Sequence, residues 1–280
     1  MTKEDFTLLN RTEDTVRLTP LNPFDRFPDG RPRVPDDLLR RMKLVTVEEA
    51  WGVLKQHGYL NQYAGDWLNV HPERVLVGRA VTAMFVPTRP DLHAVIGEWG
   101  KARNAVGLHN SWIIDTLVAD DVVVIDLFGK VKDGTFAGDN LGTAIADKTK
   151  TGMVIDGGIR DLVRLREIPD IAIFARGVDA SAIADVTMTG LNVPIRIGVA
   201  TVMPGDVVLG SESGLIFIPP HLAKEVVEHS ERTRLEDFWG QIRIREGRYT
   251  SGQVDGNWTD EMRSDFAQWS QSNTAATAPP

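Results

Sequence analysis

The feature that most constrains this chain is an alternation of short apolar, β-branched runs with stretches of helical periodicity. VLVGRAVTAMFV (75–86), DVVVIDLFG (121–129), MVIDGG (153–158), read as ending in a Gly-Gly turn, and IAIFARGV (171–178) are apolar without alternation, as strands covered on both faces must be. Between them, SWIIDTLVA (111–119), Leu141 to Thr149 and IRDLVRLREI (159–168) read as helices. Interleaved strands and helices predict an α/β fold. After Pro194 the pattern tightens. PIRIGVATV (194–202) reads as a strand, MPGD (203–206) as a turn, and VVLGSESGLIFIPP (207–220) as two strands around a polar turn. Strands joined only by turns must pair antiparallel, so the sheet is expected to be mixed and not uniformly doubly wound.

The flanks are of a different kind. Residues 1–35 are polar and carry five prolines, which predicts an irregular arm of the kind that can wrap over a neighbour. Residues 36–56 read as helical, with Asp36 or Asp37 as one cap. Thr46-Val-Glu-Glu49 fits a capping box, and Gly58 a stop. Residues 87–100 read as a proline-bearing connection. Residues 221–247 read as a long helical region, and the low-complexity end QSNTAATAPP (271–280) as disordered. The expected organisation is an arm (1–35), one α/β domain (36–250) and a C-terminal helical extension (251–280).

Charge and composition exclude several functions. With 31 basic against 39 acidic residues, the net charge is −8, which disfavours nucleic acid as a partner. There is no cysteine, so disulfides, thiolate catalysis and Cys-ligated metal are excluded. The first residues have no apolar core of the signal-peptide kind, and no run approaches 18 apolar residues. Neither a leader nor a membrane span is expected, and the cytoplasm is the default compartment. GxGxxG, the phosphate-binding loop and HExxH are all absent, and the six histidines have no chelating spacing. GSESG (210–214) has Glu212 where a nucleophile elbow needs serine.

Two segments carry polar chemistry. Gly138-Asp139-Asn140-Leu141-Gly142 stands before a helix, and Asp156-Gly157-Gly158-Ile159-Arg160-Asp161 stands where a strand runs into one. In open α/β sheets ligands bind at such carboxyl ends of strands. Backbone amides at Asn140, Leu141 and Gly142 would attract a carboxylate or enolate oxygen. Arg160 offers a planar fork for a carboxylate, and Asp161 an oxygen ligand for a hard cation such as Mg²⁺. Asp139 can orient or deprotonate a water. On spacing alone a plainer account stays open: Asp139 as a helix cap, Gly138 and Gly142 as turn residues, and Arg160–Asp161 as a solvated pair in a first turn.

VGRAVT (77–82), DVVVID (121–126), GDNLGTAIADKTKTGMVIDGGIRDL (138–162), FARGV (174–178), VPIRIGVATVMPGDVVLG (193–210) and GLIFIPPHLAKEVV (214–227) resemble the RraA-like family. That family includes 4-hydroxy-4-methyl-2-oxoglutarate aldolases, with oxaloacetate decarboxylase activity, and the protein regulator of ribonuclease E activity. The likeness runs over residues 40–250. Its signature is a GD segment followed 21 residues later by RD. The resemblance implies a swivelling β/β/α domain, assembled as a homotrimer or homohexamer with active sites at subunit interfaces. It implies Arg160 as the arginine that holds the substrate carboxylate and Asp161 as the anchor of a divalent metal, Mg²⁺ or Mn²⁺. Asp139 matches the acid that works on a water, and Gly138, Asn140, Leu141 and Gly142 match the loop whose amides contact pyruvate. The aldolases add a glutamate from the neighbour's C-terminal helix. Glu236 is the candidate here, with Glu231 and Asp237 as competitors.

The leading expectation is thus a metal-dependent lyase that cleaves a C–C bond of a 2-keto acid through a pyruvate enolate. One alternative is a hydratase or another lyase acting on a keto-sugar or sugar acid at the same site. A second is a non-catalytic regulator of an RNA-processing enzyme. The chain departs from the family in its arm, its C-terminal extension, and the segments 57–75 and 87–112. Tyr59, Tyr63 and Trp67 either line a different pocket or pack the first of these segments.

Overall fold

A computed structural model describes residues 11–272. Twelve-residue β3 (Leu76–Pro87), β4 (Asp121–Ala137), β5 (Gly152–Ile159) and β6 (Ala172–Val178) pair parallel, side by side. They are the four apolar runs, and their near-complete burial is what required that composition. The sheet is extended by antiparallel strands: β10 (Val207–Ser211) on β3, β11 (Gly214–Ile218) on β10, and short β1 (Tyr63–Ala64) on β11. β2 (Leu68–Asn69) closes the far edge on β6. β10 pairs only the first part of β3. From Ala83 onward β3 pairs antiparallel with β7 (Val186–Leu191), with a bulge in that ladder between Met84 and Phe85.

Alternate residues of each strand feed opposite layers, as the pleat requires. Val123, Ile125 and Leu127 of β4 face a helical layer containing α5 (His109–Asp115), α6 (Asp139–Thr149) and α7 (Leu162–Glu167). Val77, Val207, Leu209, Ile216 and Ile218 continue that face under α2 (Asp36–Met42), α3 (Val47–Gln56) and α8 (Ala223–Arg245). Val122 and Val124 point the other way, against a hairpin of β8 (Ile195–Ile197) and β9 (Ala200–Val202). Hairpin, sheet and helices form the expected β/β/α layering.

Several local expectations need correction. Residues 194–202 form that hairpin, because Gly198 (φ +60°) turns the chain. The connection 87–100 is mostly α4 (Pro90–Ala102), with Pro90 at its first turn, where a missing amide proton costs nothing. The Gly157-Gly158 pair is not a turn. Both residues stay in β5, where β4 bulges over them. A Cβ on Gly158 would lie 2.6 Å from the Val131 carbonyl oxygen. The arm is not wholly irregular: it contains α1 (Thr12–Leu18). It also packs on its own chain, with Val34 in the core and the Arg31 guanidinium bonded to both oxygens of Asp121 (2.7 and 3.3 Å). Neither Asp36 nor Asp37 caps α2, because Pro35 is its N-cap and Asp36 pairs with Arg79. The capping box at Thr46 and Glu49 is formed. In the extension, α9 (Ser251–Val254) and α10 (Asp260–Ser272) enclose Trp239 with Tyr249 and Met262. Of the stretch 271–280, residues 271 and 272 continue α10, and the rest lies outside the described residues.

Candidate functional site

The carboxyl ends of β4 and β5 bring the two polar segments together. Gly138, Asp139, Asn140, Leu141 and Arg160 line one cleft of about 290 Å³. Its other walls include Leu108, Asn110 and Thr135. Asn110 is buried and donates to the Phe136 carbonyl (2.8 Å), which fixes the start of α5 against the end of β4.

The glycine of the GD segment is explained by the RD segment. Gly138 has an ordinary extended backbone (φ −117°), so conformation does not demand glycine. Close approach does: a Cβ there would lie 2.3 Å from Asp161 Oδ2 and 2.9 Å from Arg160 Nε. Asp161 itself is held in the left-handed region (φ 54°, ψ 37°), which aspartate tolerates better than most residues. That conformation directs its carboxylate back over Gly138 instead of down its own helix, and it makes no capping bond to α7. Of the plainer account, the partly exposed Arg160–Asp161 pair is present, but Asp161 stands at the N-cap position of α7 and not within its first turn. The cap reading of Asp139 fails, because the N-cap of α6 is Gly138.

The amides differ from expectation. Asn140 N–H is taken by Asp139 Oδ1 (2.9 Å), and Gly142 N–H donates to the Gly138 carbonyl (2.8 Å). Gly142 is also roofed by Leu165 and Ile168, so it stands behind the cleft wall and supports α6 on α7. Leu141, at the third helical position, keeps an amide without an intrahelical acceptor.

The electrostatics are open and balanced. Arg160 Nε sits 3.3 Å from Asp161 Oδ2, and Arg164 Nη1 sits 3.5 Å from Asp139 Oδ2. Arg160 and Asp161 are both exposed enough for a ligand to compete for them, at 44% and 39% of the side chain.

Among the described residues, no three histidine or carboxylate groups converge as a metal cage. What Asp161 offers is one accessible hard-oxygen ligand, with no histidine or cysteine beside it. That donor set fits Mg²⁺ or Mn²⁺ carrying most of its own water shell, and not zinc.

Glu236 lies on α8, which packs on α2 and α3 at the β10–β11 end of the fold. It does not line the cleft of its own chain. Of its competitors, Glu231 is committed to Arg41 by two hydrogen bonds of 2.8 Å. Burial, with Glu49 and Asp255 nearby, pushes the Asp237 carboxyl up.

In the aromatic segment 57–75 the two accounts divide: Trp67 packs, Tyr63 stays exposed and Tyr59 lines a pocket. Trp67 Nε1 donates to the Ala64 carbonyl, and its ring lies 3.7 Å under Arg176, which is ion-paired with buried Asp156 at 2.6 Å. Tyr63 is fastened to the Ser213 carbonyl. Tyr59 meets His221 and lines a separate pocket under the arm. Asn110 and Thr135 escaped sequence reasoning, since a lone amide and a lone hydroxyl carry no spacing signal.

Residues 43–217 match the family model described as RraA-like, aldolase/RraA. A Thermus thermophilus protein named 4-hydroxy-4-methyl-2-oxoglutarate aldolase is 30% identical over 101 residues, covering 36% of this chain and 60% of that one. A Halalkalibacterium halodurans protein named provisionally for the same activity is 31% identical over 117 residues, 42% of this chain and 55% of that one. In both cases the match spans less than two thirds of the relative's own length. The Streptomyces coelicolor protein RraAS2, described as an unusual member of the RNase ES inhibitor RraA family, superposes with a TM-score of 0.64 at 22% identity. That superposition covers 79% of this chain and all of that one, a likeness of fold. The chain belongs to the RraA-like family.

Proposed function

We propose that the cleft is the active site of a divalent-metal-dependent lyase that cleaves a C–C bond of a 2-keto acid by way of a pyruvate enolate. The observation that carries this reading is the convergence of the Arg160 fork, the Leu141 amide and the Asp139 carboxylate on one cleft, with Asp161 folded back over Gly138 at its edge. Arg160 grips the substrate carboxylate in its planar fork. The Leu141 amide and the positive end of α6 face the oxygen on which negative charge develops. A cation held at Asp161 adds positive charge beside that oxygen when bound.

For a 4-hydroxy-2-keto acid the balance is simple. Asp139, through a water, takes the proton of the 4-hydroxyl. The C3–C4 bond then breaks, its electron pair becomes the enolate of pyruvate, and C4 leaves as a carbonyl. A proton returned to C3 completes pyruvate. Oxaloacetate would lose CO₂ to reach the same enolate. The acid on the far side of the substrate is assigned to Glu236 of a second copy in a trimer or hexamer, since no glutamate among the described residues of the chain itself lines the cleft.

The test is pyruvate release from oxaloacetate and from 4-hydroxy-4-methyl-2-oxoglutarate, with Mg²⁺ and with chelator, for wild type and Asp161→Ala. Metal-dependent pyruvate that vanishes in the variant supports the reading. Absence of pyruvate from both compounds counts against it.

A further inference from the structure

Beside the cleft lies a larger cavity of about 520 Å³, walled by α4, the start of α5 and the approach to β7. The two share Gly107, Leu108 and Ile183 in their walls. On α5, His109 lines the larger cavity and the next residue, Asn110, lines the cleft. The shared wall makes the cavity and the cleft immediate neighbours.

The cavity has a distinct chemistry. Its apolar walls come from Phe85, Trp112, Ile183 and Val186. The Trp112 indole stands edge-on to His109, with ring centroids 4.6 Å apart. It can lie against α4 because position 100 is glycine: a Cβ there would be 2.2 Å from the ring. His109 Nδ1 accepts the Met188 N–H at 3.2 Å, which leaves the ring proton on Nε2 as a fixed donor. Burial, with His93 nearby, holds His109 neutral by lowering its pKa to about 4. Of the charged residues on the wall, Lys101 is 76% exposed, paired with Glu98 and held in solvent, and Asp185 is exposed and acidic. Among the described residues, no buried cation lines the cavity to meet a second carboxylate.

We propose that this cavity receives the distal end of the substrate, and that this end is an aryl or bulky uncharged group bearing a hydrogen-bond acceptor, not a carboxylate. The proposal rests on the 2-keto-acid reading of the cleft. It predicts a 4-aryl-4-hydroxy-2-keto acid, cleaved to pyruvate and an aryl aldehyde, as the better substrate class. It separates this chain from a preference for dicarboxylates such as 4-hydroxy-4-methyl-2-oxoglutarate.

The test uses unreactive analogues, so that binding is read apart from catalysis. The full chain with Mg²⁺ is titrated calorimetrically with 4-phenyl-2-oxobutanoate and with 2-oxoglutarate. The same is done for Gly97→Leu, which fills the cavity from a helical position whose Cβ would meet nothing within 4 Å. The phenyl acid is expected to bind at least about tenfold more tightly than the dicarboxylate, the scale of a well-filled apolar subsite. In Gly97→Leu that preference is expected to fall by about the same factor. Equal or weaker binding of the phenyl acid by wild type overturns the proposal, and so does a preference that Gly97→Leu leaves intact. If the phenyl acid binds preferentially but no 4-hydroxy-2-keto acid releases pyruvate, the cavity assignment stands and the lyase reading falls.

Discussion

The cleft and the cavity beside it differ in how their chemistry is written into the chain. The polar wall of the cleft comes from two compact segments, Gly138–Leu141 and Arg160, that end adjacent parallel strands. The cavity draws on residues near 85, 93–112 and 183–186, and pairing of β7 on the far half of β3 brings them together. Chemistry imposed by a reacting group can be concentrated in a local motif. A space for a substrate's distal end is made by packing, and any apolar set of the right volume will make it. The first should therefore tolerate almost no change, and the second should change preference before it changes rate.

The largest effect is expected at Arg160. Arg160→Ala should lower kcat/KM for pyruvate release by about 10²–10³-fold, the scale for losing one charge-stabilising donor. Arg160→Lys should restore only part of it, because an ammonium cannot form the planar fork. A loss of less than about threefold would remove Arg160 from substrate binding.

Next is Gly138→Ala, whose new methyl must displace the Asp161 carboxylate and the Arg160 stem. A misplacement of this kind is expected to cost up to about a hundredfold in rate, with the melting temperature little changed. Unchanged kinetics would show that the approach of Asp161 to Gly138 has no bearing on the reaction. In the cavity, Gly97→Leu should shift substrate preference by about tenfold, as a ratio between aryl and dicarboxylate substrates.

The smallest effect is on acid stability. The folded pKa of His109 is about 4, lowered first by burial and then by His93, against an ordinary value of 6.5. The unfolded chain binds this proton between those two values while the folded chain does not, so stability falls as pH drops from about 6.5 towards 4. His109→Asn, which retains an acceptor for Met188 N–H, should remove that part of the slope. Melting curves for the two proteins between pH 4 and 7 check it, and parallel curves would contradict the assignment.

The parts of the fold legible in the sequence are those where one local cause dominates. The runs at 75–86, 121–129, 153–158 and 171–178 are apolar because they are covered on both faces. Thr46 and Glu49 satisfy each other's backbone within four residues. The rest depends on contacts distant in sequence, or on a residue whose local signal points two ways. Gly157 and Gly158 look like a turn until β4 is seen bulging over them. Helix α4 was hidden by Pro90, which ends some helices and begins others. In the site, the grouping of Gly138, Asp139, Asn140, Leu141 and Arg160 was legible. The engaged amides of Asn140 and Gly142 were not, since only the fold decides which first-turn donors already have acceptors.

The enolate is the centre of this reading, and it can be observed without knowing the natural substrate. The measurement is exchange of the pyruvate methyl protons with D₂O, followed by proton NMR, for wild type and Arg160→Ala with Mg²⁺ present. Exchange well above the buffer rate in wild type, abolished in Arg160→Ala, is the expected result. Exchange no faster than buffer, or equally fast in both proteins, would contradict enolate formation at this cleft.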